Sequence, residues 1–89
     1  MMTIDVESGP ENANMPAVIR NAILEILPDA EVDISQGGEG HFTIRVVSEA
    51  FQGLGRVKQQ QLVYGAIAYL MSGATPPIHA VDRLECETP

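Results

Sequence analysis

The run His41-Phe42-Thr43-Ile44-Arg45-Val46-Val47, continued by Ser48 and Phe51-Gln52-Gly53-Leu54-Gly55 into Arg56-Val57-Lys58, decides how the rest of the chain is read. Successive side chains of a strand point to opposite faces, so Phe42, Ile44 and Val46 share one side and His41, Thr43, Arg45 and Val47 the other. The apolar side requires a covering layer. The glycine turn and the helical pattern behind it supply one, giving a strand that feeds a helix-turn-helix.

Outward from that run, Glu31-Val32-Asp33-Ile34 also alternates and predicts a preceding strand with Val32 and Ile34 inward. Gly37-Gly38-Glu39-Gly40 forces the turn between the two strands, which makes an antiparallel hairpin. Arg45 then shares the outer face with Glu31 and Asp33, and a cross-strand ion pair follows. Upstream, Val18, Ile19, Ala22, Ile23, Ile26 and Leu27 recur at helical spacing, with Asn14 as N-cap, Pro16 in the first turn and Pro28-Asp29 as the stop. Residues 1–13 mix Ser, Gly, Pro, Glu and Asn without periodic hydrophobicity and are expected to be a disordered lead-in to a domain over 14–89.

Downstream, Ser48 is expected to cap a short helix, Glu49 to Gln52, anchored by Phe51 and ended by Gly53. A longer helix is expected from about Arg56 to Met71. Its inward stripe reads Val57, Gln61, Tyr64, Ile67 or Ala68, and Met71, widened by Val63 and Leu70. Gly65 within it costs roughly 1 kcal/mol relative to alanine, which suggests that another backbone packs there. Ser72-Gly73 and Pro76-Pro77 end the helix. Ile78 to Leu84 alternates again, with Ile78, Ala80 and Leu84 on one side and His79, Val81 and Arg83 on the other. Because helices separate it from the His41 strand, it joins that strand in parallel through a right-handed crossover. The expected fold class is α+β, in the order αββααβ, with a three-stranded mixed sheet and the His41 strand at its centre.

Composition narrows the function. Eighty-nine residues hold one domain. A lone cysteine, Cys86, cannot staple the fold, and no apolar run approaches the roughly 20 residues of a membrane span, so a reducing, cytoplasmic setting without membrane association is expected. The net charge is −7 with only five cationic side chains, Arg20, Arg45, Arg56, Lys58 and Arg83. Strong, general phosphate-backbone binding needs clustered Lys and Arg, so weak or no DNA binding is expected. Gly37-Gly38-Glu39-Gly40 has GxxG form, but it joins two strands where a nucleic-acid clamp of the KH type joins two helices. Arg56 and Lys58, near a helix start, could touch phosphate and carry the competing reading of a KH-like or helix-turn-helix transcriptional regulator. No nucleophile-base pair, phosphate loop or close acid pair is present, so an enzyme is not expected.

The histidines offer other chemistry. His41 and His79 begin neighbouring parallel strands, about 4.8 Å apart, and so reach one rim of the sheet, on the face turned away from the helices. Neutral imidazoles are common metal ligands, and two at an exposed edge form half a site that a partner would complete. Two histidines in a chain this size are unremarkable, and on spacing alone the bland reading is the stronger one. Cys86, placed beyond the last strand, is the weaker candidate.

His41-Phe42, Val46-Val47-Ser48-Glu49-Ala50-Phe51-Gln52-Gly53-Leu54, Arg56-Val57-Lys58-Gln59-Gln60-Gln61-Leu62-Val63-Tyr64 and Ile78-His79-Ala80-Val81, in this order and spacing, resemble the BolA family and its IbaG-like branch in particular. The resemblance implies a fold similar to class II KH domains and partnership with a monothiol glutaredoxin. It further implies a role in iron-sulfur cluster assembly or trafficking, alongside the family's links to stress response and transcription regulation. It implies a 2Fe-2S cluster held jointly with glutaredoxin cysteine and glutathione, and none in the isolated chain. A homodimer stays open. The histidine of the Ile-His-Ala segment is the family's constant ligand, a role that falls to His79. The second ligand, His or Cys, comes in the family from the loop between the first two strands. Ser35 to Gly40 holds neither, which leaves His41 first in rank, ahead of a partner-supplied ligand or none. Gln59-Gln60-Gln61 stands where classical members carry more positive charge, which weakens the DNA role. The sequence also stops at Thr88-Pro89, ahead of an acidic-aromatic extension common in relatives.

Overall fold

The computed structural model describes residues 14–89; the expectation for residues 1–13 lies outside them. The order is α1 (Met15–Ile26), β1 (Glu31–Gly38), β2 (His41–Val47), a 3-10 turn (Glu49–Phe51), α2 (Arg56–Ile67), a second 3-10 turn (Ala68–Leu70) and β3 (Ala80–Glu87). The expected αββααβ order therefore stands, with its short middle helix reduced to a single 3-10 turn. The sheet runs β1-β2-β3, β1 antiparallel and β3 parallel to the central β2.

Phe42, Ile44 and Val46 are almost wholly buried, as the alternation of β2 requires, and Val32 joins them from β1. The α1 stripe closes over them through Met15, Ile19, Ala22, Ile23 and the following Leu27, all buried. Ile26 departs from the expected stripe and is 52% exposed. Leu27 precedes Pro28, leaves helical geometry (φ −126°, ψ 80°) and turns the chain inward one residue later. Asn14 occupies the cap position without a side-chain cap bond; its carbonyl accepts from Val18 N–H at 2.9 Å. Arg20 is half-buried and donates from Nε and Nη2 to the Val32 carbonyl, both at 3.3 Å, tying α1 to β1.

The inward face of α2 matches the expected stripe at Val63, Ile67 and Leu70 and departs from it elsewhere. Val63, Ala66, Ile67 and then Leu70 are buried, while Val57 is 66% exposed and Tyr64 lies at the surface. The two stripes are a fraction of a turn apart on one helix, and the larger set of aliphatic side chains took the core. Among the described residues, nothing comes within 4 Å of a Cβ at Gly65, so none of their backbone packs against it.

The last strand begins later and runs further than its alternation suggests. Pairing is regular at His41↔Ala80 and Phe42↔Val81, then shifts so that Thr43 meets Arg83, which leaves Asp82 as the extra residue of a β-bulge. The inward set is consequently Val81, Leu84 and Cys86, all packed against the core, in place of Ile78, Ala80 and Leu84. Ile78 is buried but precedes the strand. Cys86, expected beyond the last strand, lies inside β3, and so does Glu87, whose carbonyl accepts from Ser48 N–H at 3.0 Å. Its carboxylate also takes Arg45, with Nη2 at 2.8 Å and Nε at 3.3 Å, while Asp33 accepts from Arg45 Nη1 at 3.4 Å. The ion pair expected across the hairpin thus exists, second to one across β2–β3.

Ser48 caps its turn as expected. Its Oγ accepts from Ala50 N–H at 3.1 Å and donates to Asp29 Oδ1 at 2.7 Å, and the other oxygen of Asp29 accepts from Glu49 N–H at 2.8 Å. These bonds, led by the one from the Glu49 backbone, hold the Asp29 carboxyl below the usual carboxylate range.

Candidate functional site

The hairpin turn sets the geometry at one rim of the sheet. β1 extends through Gly38, with an irregularity between Gln36 and Gly38, so the reversal falls on Glu39-Gly40. Gly40 is buried at φ +76°, a left-handed conformation that glycine adopts without a Cβ penalty. Its carbonyl accepts from both His79 N–H (2.8 Å) and Ala80 N–H (3.1 Å). Ile78 N–H is held by the Leu70 carbonyl at 3.0 Å. The Ile78-His79-Ala80 segment is therefore fastened on one side to the end of the helical layer and on the other to the hairpin.

These bonds lay the His79 ring directly over Gly40. A Cβ at Gly40 would lie 2.4 Å from His79 Cγ and 2.5 Å from Nδ1. His79 and His41 are both exposed, and their ring centroids stand 6.3 Å apart with planes at 83°, edge to face. The sequence placed both histidines at one rim, and there they meet.

They do not share the outer face as expected. His79 lines a cleft of about 970 Å³ whose walls include Met15 of α1, Phe42, Glu39 and the Ala74-Thr75-Pro76-Pro77 segment, so it is reached from the helix-covered side. His41 is absent from that lining and faces Asp82: its Nδ1 lies 3.1 Å from Oδ1, with both side chains about half exposed. The rings meet across the rim.

The remaining sequence candidates lie elsewhere. Cys86 pairs with Val46 six residues along β3 from Ala80, on the order of 20 Å from the histidine rim. Its half-burial pushes the thiol pKa up, away from the thiolate that binds metals. Arg56 and Lys58 are exposed in the first turn of α2. Arg56 lines a shallow groove with Arg83, Glu85 and Glu87, where Arg83 is already paired with Glu85 at 2.7 Å. Carboxylates thus border the cations that phosphate would need.

Two site residues escaped the sequence reading. Gly40 looked like one glycine among three in a turn. Asp82 is a polar residue at a position the strand alternation assigns to the interior, and that conflict was the available sign of a bulge.

A protein-family model described as "BolA-like protein" matches residues 18–89. The chain belongs to the BolA family. It is 40% identical over 72 residues to the acid stress protein IbaG of Escherichia coli K12, covering 81% of this chain and 77% of that protein. Among solved structures, BolA1 from Arabidopsis thaliana superposes with a TM-score of 0.72 at 26% identity, covering 85% of this chain and 93% of that one. The BolA domain of Arabidopsis SufE1 gives 0.70 at 28% identity, over 84% and 92%. The α+β architecture of this BolA-family chain is thus that of its relatives.

The chemistry available at the rim is that of two exposed imidazoles, a ligand type suited to iron among other metals. Among the described residues, no group of three or more His, Cys, Asp or Glu side chains gathers that could hold a metal ion. No described helix is long and apolar enough to cross a membrane.

Proposed function

We propose that this BolA-family chain is a non-enzymatic adaptor that docks a monothiol glutaredoxin and takes up part of the coordination of a 2Fe-2S cluster, in the assembly or trafficking of such clusters. The observation that carries the reading is the meeting of His41 and His79 at an open rim, 6.3 Å between ring centroids. The cluster is cargo, with its other ligands drawn from glutaredoxin cysteine and glutathione. His79, held by the two hydrogen bonds that its own N–H and that of Ala80 donate to the Gly40 carbonyl, is the primary ligand, and His41 the second. The cleft beside His79 gives a partner room to approach. The acid-stress name of the E. coli relative describes that protein; a part in stress response is carried to this chain within the same proposal.

The test is reconstitution of cluster-loaded monothiol glutaredoxin with glutathione, followed by addition of the chain. A stable complex with a changed visible spectrum, lost on His79→Ala, is expected. An unchanged spectrum and no complex would remove the proposal. A gel shift near physiological salt, repeated with Arg56 and Lys58 neutralised, separates this from DNA-dependent regulation: tight, salt-sensitive binding lost in the double variant would favour the regulator instead.

A further inference from the structure

We infer that Asp82 is a positioning residue for His41, fixing which ring nitrogen faces outward; the inference rests on the assignment of His41 as second ligand. Three observations converge on it. Asp82 is the extra residue of the bulge in β3, the one place where the β2–β3 register slips, and bulges re-aim a side chain that regular pairing would place otherwise. From there its Oδ1 reaches His41 Nδ1 at 3.1 Å, although the two residues are 41 apart in sequence. Its Oδ2 turns toward the hairpin, where a Cβ built on Gly37 would make ordinary contact at 3.9 Å. The carboxylate thus sits between the histidine and the turn that precedes it.

The chemical consequence follows from the inventory of a neutral imidazole, which has one N–H donor and one acceptor nitrogen. A carboxylate only accepts, so the proton resides on Nδ1 and the lone pair is left on Nε2, the nitrogen further from the backbone. Metal-bound histidines commonly carry such a carboxylate on the opposite nitrogen, which orients the ring and raises its basicity. The main-chain clamp on Gly40 sets the position of His79, and Asp82 does the equivalent for His41 through a side chain.

Two measurements test this. In the free protein, long-range ¹⁵N–¹H correlation spectra at about pH 8, above the ordinary histidine range, should show His41 chiefly as the Nδ1–H tautomer. Asp82→Ala should move it toward Nε2–H, and Asp82→Asn, whose amide oxygen can accept the same bond, should retain more of the original form. A wild-type His41 already in the Nε2–H form overturns the inference. In the glutaredoxin complex, Asp82→Ala should speed cluster loss on the order of ten-fold, the scale of removing a supporting group behind a metal ligand, without abolishing complex formation. If His41→Ala makes the cluster labile and Asp82→Ala does not, the positioning role is refuted. Failure of the cluster complex in wild type would count against the adaptor function, and the tautomer spectra would still decide the Asp82–His41 bond.

Discussion

Replacing Gly40 by alanine perturbs the backbone and the site at one atom. At φ +76° an L side chain pays about 1–2 kcal/mol for the left-handed conformation. The new methyl group would also lie 2.4–2.8 Å from three atoms of the His79 ring, closer than real Cβ contacts come, and the nearest is Cγ, at the root of the ring where it yields least. If the backbone moves to relieve the overlap, the Gly40 carbonyl gives up its bonds to His79 and Ala80, worth about 1 kcal/mol each. Together these predict a loss of about 3–4 kcal/mol, and at about 4–8 °C per kcal/mol for a domain of this size, a fall in Tm of at least about 12 °C. Gly38→Ala is the control, because Gly38 has no positive φ and, among the described residues, nothing would lie within 4 Å of its Cβ; it should be close to neutral. Thermal unfolding by circular dichroism and the His79 ring resonances read the two effects separately. A Gly40→Ala protein as stable as wild type with unmoved His79 signals would refute the reasoning.

Other perturbations test the scaffold. Gly65→Ala, on a helix face with open space, should stabilise by about 0.5–1 kcal/mol in denaturant titrations. Ser48→Ala removes a buried hydroxyl that caps one turn and donates to Asp29, and should cost about 1–3 kcal/mol by the same assay. The carboxyl pKa of Asp29 is lowered in the fold, so its contribution is fully present above the ordinary aspartate value of about 4 and is lost as pH falls through the lower, folded value. The stability gap between wild type and Asp29→Asn, followed by urea unfolding across that range, should therefore narrow with acidification. A gap independent of pH would contradict the assigned bonds.

How much of this was legible beforehand depended on the range of the interaction involved. The alternation in β2 and the apolar period in α1 are local and strong, and both describe the buried faces found, Ile26 excepted. The approach of His41 and His79 to one rim followed from topology, because His41 begins β2 and His79 immediately precedes the parallel β3. α2 misled because it carries apolar residues on two faces: Val57 and Tyr64 lie on one, Val63, Ala66 and Ile67 on the other, and only the sheet decides which is covered. β3 misled because Ile78, Ala80 and Leu84 read as one period across Asp82, where the bulge resets it. The Ser48–Asp29 and Asp82–His41 bonds join residues 19 and 41 positions apart, and no local pattern encodes them.

The ligand assignment is tested most directly by nitrogen hyperfine spectroscopy on the reduced glutaredoxin complex, with this chain alone carrying ¹⁵N-labelled histidine. Two ¹⁵N couplings to the cluster are expected, one removed by His79→Ala and the other by His41→Ala. A spectrum without any ¹⁵N coupling from the labelled chain would contradict histidine ligation outright.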